Sequence, residues 1–211
     1  MRSIRHWNAG YLANRLAKAL SCRSQNGRQP NLADAAIQFL DGWLTRQDVM
    51  LEYGSGHSTL WFARRVKQII SVESNPEWYN IVKVETSICD NVQVHLIDAQ
   101  NNPVPIAHVS WDYVNFIKRF DKESFDLILN DGYARPLVAK LAVDYLKESG
   151  ILIWDDWGHS YPIKSSVTPG VLRPGDSVDL LVEEFVDYVS TWRTVTFDDG
   201  IHTSALFIKP V

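Results

Sequence analysis

Val49-Met50-Leu51-Glu52-Tyr53-Gly54-Ser55-Gly56-His57-Ser58-Thr59-Leu60-Trp61-Phe62-Ala63 starts as a short apolar run, passes through Gly-Ser-Gly, and continues with apolar residues at helical spacing. That order predicts a buried strand, a tight turn and a helix. Glycines at Gly54 and Gly56 let the backbone approach a ligand with no Cβ in the way. The helix that follows points free N–H groups and its positive dipole end into the same turn. Such a turn suits a nucleotide-like ligand.

Composition limits what surrounds it. The chain has 211 residues, 45% of them hydrophobic, enough for one globular unit with a full core. A formal net charge of −4 gives no global basic field for nucleic acid or an anionic membrane. Cys22 and Cys89 form neither a disulfide framework nor a zinc spacing, and both are expected to stay reduced in a cytoplasmic setting. No run reaches the ~18 apolar residues of a membrane helix, and Arg2 to Lys18 lacks a continuous signal-peptide core.

Outward from the opening stretch, Ile4, Trp7, Tyr11, Leu12, Leu16, Ala19 and Leu20 predict an amphipathic helix over 4–21, a candidate homodimer element. Asn31 reads as an N-cap for a helix over Ala35 to Leu44. Residues 1–46 therefore read as an N-terminal helical cap and 47–211 as the core. Gln68 to Glu73 is a second buried strand, and Asn75-Pro76 starts a helix to about Ile88. Further strands are expected at Asn91 to Ile97, Phe125 to Leu129 and Ile151 to Trp154, with helices over Trp111 to Arg119 and Arg135 to Lys147. A loop from Trp157 to Gly175 precedes a helix capped by Asp176, and Asp198-Asp199-Gly200 marks a terminal hairpin.

Strands alternating with helices predict a doubly wound α/β fold: a mostly parallel seven-stranded sheet with a C-terminal antiparallel hairpin. Ligands of such sheets sit outside the C-terminal strand ends, at the switch point. Each strand end here carries an acid or a Gly/Asn/Asp turn: Glu52, Glu73, Asp98, Asn130-Asp131 and Asp155-Asp156.

Together these ends resemble the class I S-adenosylmethionine-dependent methyltransferases over Val49 to Pro210, a Rossmann-like fold. The resemblance implies that Glu52, Gly54, Ser55, Gly56, His57 and Ser58 hold the methionine part of the cofactor. It places Glu73 and Ser74 at the ribose, Trp78, Asp98 and Ala99 around the adenosine, and Asn130 at the end of the fourth strand. Within that class, Glu73-Ser74-Asn75-Pro76-Glu77-Trp78 is similar to the catechol O-methyltransferase-like set. That likeness implies a small-molecule acceptor methylated at oxygen, and a magnesium ion held by Asp131, Asp155 and Asp156. Two departures stand out: Asp156 replaces an amide ligand, and Ala134 replaces a lysine base.

The residues leave alternatives open. Asp131 and Asp155 suit a metal, a general base for the acceptor, or simple loop capping. His159 is an acid–base candidate because imidazole titrates near neutral pH. Tyr133, Trp157 and Tyr161 read as pocket lining, and Arg135, Lys164 and Arg173 would suit an anionic acceptor. Thr59 stands where dinucleotide enzymes need a third glycine, which argues against NAD. Other uses of the same acids are aminopropyl transfer, NAD-dependent oxidation or a regulatory protein without activity.

Overall fold

The computed structural model describes residues 29–97, 111–163, 168 and 170–211. The helix predicted over 4–21, Asp98-Ala99, most of the following loop and Lys164 lie outside them. In chain order the elements are α1 (Asp34–Trp43), β1 (Val49–Tyr53), α2 (His57–Ala63), β2 (Gln68–Glu73), α3 (Pro76–Thr86) and β3 (Val92–Leu96). Then come α4 (Trp111–Asn115), β4 (Phe125–Asn130), α5 (Arg135–Ala142), β5 (Leu146–Asp155), α6 (Leu180–Tyr188), β6 (Arg193–Asp198) and β7 (Thr203–Ile208).

The seven strands form one sheet in the order β3-β2-β1-β4-β5-β7-β6. Neighbours from β3 through β5 run parallel, while β7 is antiparallel to both β5 and β6. The expected doubly wound α/β sheet with its terminal hairpin is therefore present. Side chains alternate faces along each strand. Leu51, Tyr53, Phe125, Ile128, Leu152 and Trp154 enter one buried cluster. Met50, Leu127, Leu129, Ile151 and Ile153 enter the other, with Leu32, Ala36 and Leu40 from around α1. Burial on both faces is why these strands read as continuous apolar runs.

The chain builds outward from β1 to β3, then returns to place β4 on the other side of β1. That reversal is the switch point. Asp131 N–H donates to the Tyr53 carbonyl at 2.9 Å there, holding the first residues beyond β1 and β4 together.

Three local expectations need correction. Helix α1 is not capped by Asn31: Ala33 N–H donates to Ser204 Oγ at 3.1 Å and Asp34 N–H to Asp199 Oδ2 at 3.2 Å. Asp179, not Asp176, caps α6, accepting from Leu181 N–H at 2.8 Å. Asp176 instead closes a turn by accepting from Arg173 N–H at 2.6 Å. Helix α5 ends at Ala142 and β5 already begins at Leu146, because Leu146 is fully buried beside Phe125. The Ser149-Gly150 turn becomes an irregularity inside that strand, with Ser149 at φ 62°. The expected terminal hairpin is as read, its loop spanning Asp199 to His202 with N–H groups tied to the Asp198 and Asp199 carboxylates.

Candidate functional site

Gly54 leaves β1 at φ 91°, and a Cβ there would lie 2.7 Å from the Asp131 carbonyl oxygen. Only glycine lets the β1 and β4 loops approach so closely. The turn that follows is held from several sides. Ser55 N–H donates to Glu73 Oε2 at 3.1 Å, and Trp78 Nε1 donates to the Ser55 carbonyl at 2.7 Å. Trp78 thus reaches across from α3 to pin the turn itself.

Beneath the turn lies Glu52, fully buried. Its carboxylate accepts from Ser58 Oγ at 2.5 Å and from Thr59 Oγ1 and Ser71 Oγ at 2.6 Å each. Ser55 Oγ joins the same network, 2.6 Å from Ser71 Oγ. One side chain therefore ties β1, α2 and β2 together below the loop. Burial pushes its pKa up to about 7, opposed by the three hydroxyl donors. Thr59 also accepts from Gly56 N–H at 3.0 Å, so the residue in place of a third glycine is the hydroxyl that closes the start of α2.

A cavity of about 280 Å3 opens at the switch point, lined by Gly54, Ser55, Glu73, Ser74, Asp131, Gly132 and Tyr133. All of these but Gly132 are expected from the sequence as site or pocket residues. Gly132 was not singled out, although its glycine is required: a Cβ would fall 1.9 Å from the Tyr113 hydroxyl. Glu73 ends β2 with Oε1 accepting from Ser74 N–H and Asn75 N–H, both at 2.8 Å. Those bonds aim the carboxylate at the cavity instead of only capping α3. His57, edge-on to Trp78, has its buried Nδ1 without a partner among the described residues, and so does Asn130 Oδ1. A glycine cradle and a fixed carboxylate fit the hydroxyl- and amino-acid-bearing ends of S-adenosylmethionine.

On the β5 side, Asp131, Asp155 and Asp156 do come together, but around a guanidinium. Arg135 Nη2 lies 2.8 Å from Asp131 Oδ1, and Nη1 lies 3.5 Å from Asp156 Oδ2. Nη1 also donates to the Asp155 carbonyl at 2.5 Å, and Nε to the Gly132 carbonyl at 3.3 Å. Arg135 is thus engaged with the protein's own carboxylates and carbonyls, where the sequence suggested a cation suited to an anionic acceptor. Burial raises the Asp131 pKa to about 6 against the pull of Arg135, and burial plus the Asp131 charge raise Asp155 well above the usual carboxylate range. Ser204 Oγ donates to Asp155 Oδ1 at 3.3 Å.

The three carboxylates do not fit magnesium. An octahedral ion needs free oxygens at about 2.0–2.1 Å. Here Asp131 Oδ1 and Asp156 Oδ2 both face the Arg135 guanidinium instead. Asp155, Asp156 and His202 bring one atom each to within 4.8 Å of one another, and of these the Asp156 carboxylate also lies 3.5 Å from Arg135 Nη1.

His159 is half-exposed, with Nδ1 3.9 Å from Asp156 Oδ1, and it lines neither this cavity nor the next. The expected aromatic lining is divided. Tyr133 borders the switch-point cavity, whereas Trp157 and Tyr161, stacked at 5.1 Å, border a second cavity of about 650 Å3 between α6 and β6. Arg173 lines neither.

No protein-family model matches the sequence, and no curated protein matches it. Solved structures do share the fold. A methyltransferase-like protein from Silicibacter pomeroyi is 18% identical, with 87% of this chain and 90% of that one covered and a TM-score of 0.57. A candidate caffeoyl-CoA O-methyltransferase from Staphylococcus aureus is 12% identical, with 97% and 94% covered and a TM-score of 0.57. A candidate methyltransferase from Streptococcus mutans, in complex with SAH, is 12% identical, with 83% and 96% covered and a TM-score of 0.56. At these identities the likeness establishes the Rossmann-like methyltransferase fold.

Proposed function

We propose that the protein is an S-adenosylmethionine-dependent methyltransferase acting on a small-molecule acceptor at oxygen. The observation that carries this reading is the switch-point cavity, where the Gly54 cradle and the Glu73 carboxylate face Asp131 across the gap between β1 and β4. Thr59, a buried hydroxyl where dinucleotide enzymes need glycine, disfavours NAD. The likeness to structures of methyltransferases, one of them a candidate O-methyltransferase, supports the same choice.

Bound S-adenosylmethionine would supply a methyl group already activated on a sulfonium. The chain's task is then alignment and exclusion of water. Gly54, Ser55, His57 and Glu73 would hold the cofactor, with Glu52 beneath them as the group that positions the turn. Asp131, its pKa raised by burial to about 6, would take the acceptor's proton, and Asp155 beside it would orient the acceptor oxygen.

Calorimetric titration with S-adenosylhomocysteine tests the reading. Wild type should bind it, NAD should not compete, and Glu73→Ala should weaken binding about 30-fold, a loss of about 2 kcal/mol. Absence of binding in wild type, or tighter binding of NAD, would overturn it.

A further inference from the structure

We propose that Arg135 is the permanent cation of this site, paired with the Asp131 and Asp156 carboxylates and making them independent of a metal ion. The inference rests on the reading that the ends of β4 and β5 are where an acceptor is oriented.

The geometry is specific to a guanidinium. One planar group reaches Asp131 and Gly132 after β4, and Asp155 and Asp156 at the end of β5. It uses all three nitrogens, including a second contact from Nη2 to the Asp131 carbonyl at 3.4 Å. A lysine ammonium could not span these partners, because it offers a point charge rather than a rigid fork. Arg135 is always charged, so it offsets one negative charge of the cluster at every pH at which the protein folds.

The backbone is shaped for this contact on both sides. Ala134, immediately before Arg135, lies at φ 52°, and Asp156 lies at φ 53°. Left-handed backbone at non-glycine residues costs energy and persists where its surroundings enforce it. Both strained residues adjoin the guanidinium: one starts the helix that carries it, the other meets it with a carboxylate. Pro136 then fixes the first turn of α5, so the Arg135 side chain folds back over the strand ends. The result is a positioning residue. It holds Asp131 in place by a direct ion pair and repels any second cation from the same oxygens.

Manganese, read by the loss of its free-ion electron paramagnetic resonance signal, tests this on the full chain without an acceptor. Wild type should bind no Mn2+ up to about 1 mM. Arg135→Met should acquire a Mn2+ site that the added change Asp131→Asn removes, while Arg135→Lys should acquire none. Thermal melting verifies that each variant folds, and Arg135→Gln replaces the methionine variant if that one does not. Mn2+ binding by wild type that is lost in Asp131→Asn overturns the proposal. So does a folded Arg135→Met or Arg135→Gln that still binds none. If wild type binds no S-adenosylhomocysteine, the methyl-transfer reading falls while the manganese result still decides the role of Arg135.

Discussion

Glu52 shows how one residue can matter to a site without lining it. Three hydroxyls donate to its carboxylate, yet burial raises its pKa from the ordinary 4.5 to about 7. Because the folded state holds the proton more tightly than the unfolded chain, the associated stability is fully present below pH 4.5. It is lost as pH rises through about 7. That span corresponds to about 3 kcal/mol. Denaturant unfolding of wild type and Glu52→Gln at pH 5 and pH 8 should show wild type losing stability relative to the variant by about 1–3 kcal/mol. Parallel behaviour of the two would mean that this carboxyl does not titrate in the window. None of this was legible from Glu52 as a letter. Its place at a strand end suggested contact with the cofactor, whereas the serine and threonine partners come from two other elements, α2 and β2. The engagement of Arg135 was hidden for the same reason: a cation near a site looks free until the strand ends that saturate it are seen.

At the scale of elements, the strands were legible because burial on both faces leaves a continuous apolar signature. Gln68–Glu73 matches its expected span, and the Asn75-Pro76 start of α3 holds in detail, with Asn75 Oδ1 accepting from Trp78 N–H at 2.9 Å. The misplaced boundaries share a cause. Local cap signals compete with partners distant in sequence, and at α1 the Ser204 hydroxyl, 171 residues from Ala33, satisfies the first N–H group instead of Asn31. At β5, burial of Leu146 ends a helix that its periodicity would continue. The caps that do exist should contribute in the usual range. Asp179→Ala should lower stability by about 1 kcal/mol and Asp176→Ala by less, since only Asp179 caps a helix. Thermal denaturation of the two variants checks the order, and a larger loss for Asp176→Ala would restore the earlier boundary of α6.

The whole molecule couples its first described helix to the site through a single hydroxyl. Ser204 Oγ accepts from Ala33 N–H at the start of α1 and approaches Asp155 Oδ1 at 3.3 Å, so it touches both the cap region and the carboxyl pair. Around it, Leu40 is fully buried in a cluster shared with Met50, Ile69 and Leu206, from three different strands. Residues 32–40 therefore help to close one face of the sheet. Two substitutions separate packing from coupling. Leu40→Ala removes buried methyl groups far from any polar partner, and should cost about 2–5 kcal/mol of stability. Its affinity for S-adenosylhomocysteine should remain that of wild type under conditions where it is folded. Ser204→Ala deletes one oxygen and leaves the Ala33 N–H buried without its partner, so its stability cost should be smaller, about 1–3 kcal/mol. Unlike Leu40→Ala, it also removes a partner of Asp155, and its effect should extend to turnover with any acceptor that yields S-adenosylhomocysteine. Equal turnover in folded Ser204→Ala and wild type would show that α1 supports the sheet without reaching the chemistry at its end.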